Sequence, residues 1–210
     1  LYNVVKNQTE RGKHLDLHPL KIIGADFNKT ARLASTITLQ KANIEHSILH
    51  GDISNPSDYA DNLLNQYGLD LQEMLNVRSF LDHNRIYSLP KKSFQDHICH
   101  STGAFSFRGR WIPNKELKQN LIEHFTTWKN YVSKYGLLML ELHTISPELT
   151  ASNLGKTVAT AYDGTHGFSD QYIIEVEIML EAAEEAGLIP DPQYQARFPN
   201  DELSTISINL

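Results

Sequence analysis

Four short apolar runs, each closed by an acid or a histidine and each set apart from the next by polar or helix-periodic sequence, constrain the fold more than any other feature. They are residues 20–26, ending at Asp26; 46–50, leading to Gly51 and Asp52; 74–81, leading to Asp82 and His83; and 137–142, leading to His143. Strands alternating with helices predict a parallel sheet, and right-handed crossovers carry every strand's C-terminal end to one edge. Ligands of open α/β sheets bind at that edge. The charged and imidazole side chains at the four exits are therefore the first candidates for function.

The segments between the runs read as helices and one long loop. Asn28 is placed to cap a helix reaching about Ala42, with Ala31, Ala34 and Ile37 on one side and Asn43 as a left-handed stop. Pro56 opens a polar helix to Tyr67 and Gly68. Residues 88–113 hold no period, which predicts a loop or hairpin insertion near the active site, with tip signals at Thr102-Gly103 and Arg108-Gly109. Asn114 is expected to cap the clearest helix, whose stripe of Leu117, Leu121, Phe125, Trp128, Val132 and Tyr135 faces a core and ends at Gly136. Trp128 reads as packing. Helices are expected over 147–160 and 170–186, the second burying Ile173, Val176, Leu180 and Ala183 and stopping at Gly187.

Composition narrows the classes. At 210 residues, 40% hydrophobic and 21% charged, the chain suits a single globular domain over 1–210. A net charge of -6, with no basic run longer than Lys91-Lys92, argues against nucleic acid. No apolar run approaches the roughly 20 residues of a membrane span. Cys99 is the one cysteine, so no disulfide forms within the chain, which fits a reducing compartment, and a cytoplasmic location is expected.

Two exits suggest a nucleoside. A carboxylate after a second strand offers two acceptor oxygens to two ribose hydroxyls, and Asp26 has that position. A dehydrogenase, or a plain helix cap, would place an acid there too. Gly51-Asp52-Ile53 at the next exit adds a glycine for close approach and a carboxylate for an adenine amino group. Asp26 and Asp52 thus read as a ribose and adenine pair, or as two capping aspartates.

Five motifs together carry a resemblance: residues 23–28 (IGADFN), 51–53 (GDI), 76–85 (NVRSFLDHNR), 141–144 (ELHT) and 163–171 (DGTHGFSDQ). They resemble the metal-dependent C-methyltransferase domains of bacterial polyketide loading modules, of the apratoxin type. The resemblance implies a Rossmann-like class I sheet that binds S-adenosylmethionine (SAM). It also implies C-methylation of a malonyl group on an acyl carrier protein, with neighbouring polyketide synthase domains as partners. Asp26, Phe27, Asn28, Gly51, Asp52, Ile53 and Asp82 would line the cofactor. His166 and Gln171 would carry over as ligands of an iron ion, imidazole and amide oxygen suiting Fe or Mn better than structural Zn. They lie in a glycine-turned stretch expected to lead into a helix starting at Ser169 or Asp170. A metal would stabilise the enolate of a malonyl thioester. His83 and His143 are candidate bases; His143 and Asp163 could also be ligands or satisfied polar groups. Arg78 or Arg85 would pair with the malonyl carboxylate, aided by the helix end near Ser169, or make an ordinary ion pair.

One departure stands out. The glycine-rich loop that grips the methionine part of SAM has no counterpart, since Gly12 is isolated and residues 1–11 read as the end of a first helix. The missing strand would lie between the strands at 20–26 and 74–81, leaving two unpaired edges. Together with a start at Leu1 and an end inside the alternating residues 204–209, this predicts an excerpt of a longer protein that binds SAM weakly by itself. The rival readings are a metal-free O- or N-methyltransferase using His83 or His143 as base, and a noncatalytic domain of the same fold. A dehydrogenase lacks its glycine fingerprint here.

Overall fold

The computed structural model describes residues 1–96 and 98–210, without the side chains of residues 166 and 167. The chain divides into two compact units, Leu1–Leu63 and Leu64–Leu210. In the first, α1 (Tyr2–Gln8) and a 3-10 turn (Glu10–His14) lead to β1 (Ile22–Ala25), α2 (Lys29–Lys41) and β2 (His46–Leu49). β1 and β2 pair in parallel, Ile22 opposite His46 and Ala25 opposite Leu49, so both exits share one edge. Asn28 starts α2 as expected: its Oδ1 accepts from the Thr30 N–H at 2.8 Å and the Ala31 N–H at 3.2 Å, satisfying donors that a first helical turn leaves unpaired. Asn43 follows its end at φ 50°. The expected apolar side of α2 is not buried, and Ile37 stays 42% exposed.

α3 (Pro56–Tyr67) carries the chain onward into the second unit, where β3 (Asn76–Ser79) is followed by a hairpin of β4 (Phe105–Phe107) and β5 (Arg110–Ile112). The hairpin tip is Arg108-Gly109, both at positive φ, as a two-residue turn matched to strand twist requires. Then come α4 (Asn114–Val132), β6 (Leu137–Leu142), α5 (Pro147–Ser152), α6 (Ala159–Ser169), α7 (Val176–Ala186), β7 (Ala196–Phe198) and β8 (Ile206–Asn209). The sheet runs β3-β6-β8-β7. β3 and β6 are parallel, with Ser79 opposite Leu140, whereas β8 is antiparallel to both neighbours, so this sheet is mixed. The architecture is α/β and Rossmann-like.

α4 supplies the core of this unit. Leu117, Leu121 and Phe125 are at most 2% exposed and pack with Phe105, Ile112, Met139, Tyr172, Met179 and Ala182, with α7 lying along α4. Trp128 and Val132 are buried with them, but Tyr135 lies beyond the helix and is half exposed. Asn114 is the first helical residue rather than the cap. Its amide instead donates to the Ser101 carbonyl at 2.7 Å, tying the helix start to the preceding loop.

The largest difference from the sequence reading lies in 147–175. The single expected helix is two, α5 and α6, and the motif at 163–171 enters α6 rather than forming a loop. Asp170 closes α6 in the left-handed region at φ 50°, and 170–175 is irregular before α7 begins at Val176. Ser169 therefore sits at a helix C-terminus, whose partial charge is negative. The anion-attracting helix end expected there is absent. Among the described residues no helix is long and apolar enough to cross a membrane.

Candidate active site

In the first unit both strand exits carry their acids. The Asp26 Oδ1 accepts from the Asn28 N–H at 2.6 Å and the Asp52 Oδ1 from the Ser54 N–H at 2.8 Å, so each carboxylate is oriented by a local turn through one oxygen. Arg32 adds bonds to the Asp26 and Phe27 carbonyls at 2.7 and 2.9 Å, and the Phe27 ring is 70% exposed beside them. The need for glycine at 51 has a packing cause: a Cβ there would lie 2.9 Å from the Ala25 Cβ and 3.1 Å from the Tyr59 ring. Ile53 follows Asp52 half buried.

The second unit gathers a charged network at the exits of β3 and β6, which parallel pairing brings side by side. Phe80, at φ 54°, turns the chain out of β3 into a 3-10 turn over Asp82–Asn84. Arg78, 5% exposed, lies with its guanidinium carbon 4.1 Å from the Trp128 ring centroid and donates to the Asp82 Oδ1 at 2.6 Å. The His124 Nε2 reaches the same oxygen at 2.9 Å. Burial alone would raise the Asp82 pKa, but the charges and hydrogen bonds of Arg78 and His124 outweigh it and hold it down to about 2. Asp82 is thus an internal counterion, 3% exposed. Arg85 donates to the Asn120 Oδ1 at 2.8 Å and the Asp82 carbonyl at 3.1 Å, and burial lowers its pKa to about 10. Both arginines that the sequence offered to a malonyl carboxylate are committed to internal partners.

His83 is the member of the network with a reactive geometry. Its Nδ1 lies 2.6 Å from the Glu141 Oε1, and its Nε2 lies 2.9 Å from the Asn84 Nδ2. Because Asn84 Nδ2 can only donate, Nε2 is the accepting nitrogen and Nδ1 carries the proton. Glu141 is itself held by four donors: its Oε2 accepts from the N–H groups of Asp82 (2.8 Å) and His83 (3.3 Å), and its Oε1 from His83 Nδ1 and the Leu142 N–H (2.8 Å). A buried carboxylate behind one imidazole nitrogen fixes the tautomer and stabilises the imidazolium that forms when the other nitrogen takes a proton. Glu141 is not among the candidates the sequence singles out, although an acid inside the otherwise apolar 137–142 run is a signal in itself.

His143 serves differently. Its Nδ1 donates to the Ile174 carbonyl at 3.1 Å and its Nε2 accepts from the Ser207 hydroxyl at 2.7 Å. It is 1% exposed, and burial lowers its pKa to about 4. It thereby latches 170–175 to β8, and the Tyr172 N–H adds a bond to the His83 carbonyl at 2.8 Å. Asp163 accepts from the Thr144 hydroxyl at 2.7 Å. The Gln171 Nε2 donates to the Asn84 Oδ1 at 3.1 Å. The side chain of His166 lies outside the described residues. Among those described, no group of three His, Cys, Asp or Glu is placed to hold a metal ion.

The network encloses a cavity of only about 10 Å³ among Asp82, His83, Arg85, Glu141, His143 and Tyr172, room for one water at most. The open side of His83 is the one where Asn84 is exposed. A larger cleft of about 400 Å³ is lined by five carboxylates, Glu175, Glu177, Glu181, Asp201 and Glu202, together with Arg197 and His100.

The α/β, Rossmann-like architecture and the matching family model define a SAM-dependent methyltransferase domain. The chain belongs to the AprA MT2-like domain family, whose model matches residues 1–209. No curated protein matches the chain.

Proposed function

We propose that this methyltransferase domain places the methyl group of SAM on carbon, the acceptor being a malonyl group carried as a thioester on an acyl carrier protein, with His83 as the base. The observation that supports a base here is the pairing of His83 Nδ1 with the buried Glu141 while Nε2 faces the exposed Asn84. SAM supplies an electrophilic methyl group on a sulfonium centre. On the protein's side, Asp26 and Asp52 accept from ribose hydroxyls and the adenine amine, donor sets that two carboxylates match. Phe27 offers an exposed ring beside them, and Asn28 and Ile53 flank the two acids. His83 removes the α-proton of the acceptor, a carbon acid because its negative charge delocalises onto the thioester oxygen. Glu141 holds the resulting imidazolium in place. Carrier and neighbouring polyketide synthase domains deliver the thioester.

The iron or manganese ion suggested by the resemblance, with His166 and Gln171 as ligands, is a separate proposal, and no step above passes through it. Metal analysis of the full-length protein and its His166→Ala variant tests it. The methyl acceptor is tested by incubating the full-length protein with ¹³C-methyl SAM and malonyl-S-pantetheine. A methyl doublet coupled to the α-proton of the thioester is expected; a product methylated on oxygen or nitrogen rejects carbon as the acceptor.

A further inference from the structure

The exposed amide of Asn84 covers the accepting nitrogen of His83. Its Nδ2 caps the His83 Nε2 at 2.9 Å, with a longer contact to the Phe80 carbonyl at 3.4 Å, and its Oδ1 is held by the Gln171 Nε2 at 3.1 Å. The lone pair that must accept a proton is therefore occupied by an amide N–H. That contact has to open before His83 can act, and the freed donor stays tethered through Oδ1 beside the reacting carbon. A carbonyl oxygen is one carbon away from the α-carbon it acidifies, so a donor adjacent to the base lies where the developing negative charge collects. Among the polar neighbours of His83 on this edge, Asn84 is the exposed one: Asp82, Arg85, Glu141 and His143 are all buried with internal partners.

We infer that Asn84 is a catalytic residue that donates its Nδ2–H to the thioester oxygen as the enolate forms, with Gln171 positioning its amide. The inference rests on the reading of His83 as base. As the C–H bond breaks, the proton passes to the His83 Nε2 and the electron pair delocalises onto the thioester oxygen, which takes the Asn84 hydrogen bond. The pair then returns through carbon to form the new C–C bond while the sulfonium C–S bond breaks and its electrons stay on sulfur. Donors aimed at charge that exists only in the transition state raise kcat and leave ground-state binding alone.

The test compares steady-state methyl transfer from SAM to malonyl-S-pantetheine in the full-length protein and its Asn84→Ala, Asn84→Asp, Gln171→Ala and His83→Gln variants. Asn84→Ala is expected to lower kcat by roughly 10²–10³-fold with KM little changed. Asn84→Asp, which replaces a donor by a negative charge, falls at least as far. Gln171→Ala falls less, because it loosens the amide without removing it. Because Asn84 is exposed, its variants fold. A kcat for Asn84→Ala within a few-fold of wild type while His83→Gln is inactive overturns the inference and leaves the base intact. A raised KM at unchanged kcat also overturns it, since Asn84 would then be a ground-state binding contact. Activity in His83→Gln rejects the base, and with it the inference.

Discussion

Acid should unlatch the second unit through His143. Its pKa in the folded protein is about 4 against an ordinary 6.5, because burial disfavours the imidazolium, and Nε2 must give up the Ser207 hydroxyl's hydrogen bond to gain a proton. Between those values the unfolded chain binds a proton that the folded chain does not, so stability is fully present above pH 6.5 and is lost as pH falls through 4. A shift of this size corresponds to about 3 kcal/mol, a large share of the roughly 5–15 kcal/mol of a typical domain. His143→Gln retains a donor and an acceptor without titrating in this range. Urea unfolding followed by the fluorescence of the buried Trp128, at pH 7.5, 6, 5 and 4.5, is expected to show wild type losing stability relative to the variant at each step down. Burial lowers the His124 pKa too, which acts in the same direction in both proteins and cancels in the comparison. Parallel loss in wild type and variant would refute the role given to His143.

Three further outcomes follow from the geometry. Glu141→Gln turns an amide N–H toward the His83 Nδ1 proton or the backbone donors and favours the wrong tautomer; methyl transfer should fall by roughly 10²–10⁴-fold, with far-UV circular dichroism unchanged. Arg78→Ala strands Asp82 as a buried charge and removes the cover on Trp128, so denaturant titration should show a loss of about 3–5 kcal/mol, which Arg78→Met, filling the space but not the charge, does not restore. Gly51→Ala forces the new Cβ against Ala25 and Tyr59 and should cost about 1–3 kcal/mol, read in the same titration, where a neutral result would show that the exit of β2 yields.

Much of this architecture is legible in single residues. Asn28 caps, Asn43 and Gly187 stop helices at positive φ, Arg108-Gly109 turns the hairpin, and Leu117, Leu121 and Phe125 face a core. Each is a local signal whose cause lies within a few residues. Gly164 and Gly167 argue locally against a helix, since each costs about 1 kcal/mol relative to alanine. Their helix is held from outside by the Asp163 bond to Thr144 and from within by hydroxyls of Thr165 and Ser169 bonded back to helical carbonyls. The roles within the site were less visible. His83 and His143 look alike as histidines after strands, and what separates them is Glu141 behind one and Ser207 with Ile174 around the other. Those partners are 58, 64 and 31 residues away, distances over which only the fold decides who meets whom.

The reading of His83 as base is tested most directly by proton exchange at the acceptor carbon, which requires no methyl transfer. With malonyl-S-pantetheine in D₂O and S-adenosylhomocysteine present, the full-length protein is expected to wash deuterium into the α-position faster than buffer does. His83→Gln should reduce the rate to that of buffer and Glu141→Gln should bring it close to that level. Exchange at the wild-type rate in His83→Gln would contradict the assignment of this dyad as the proton acceptor.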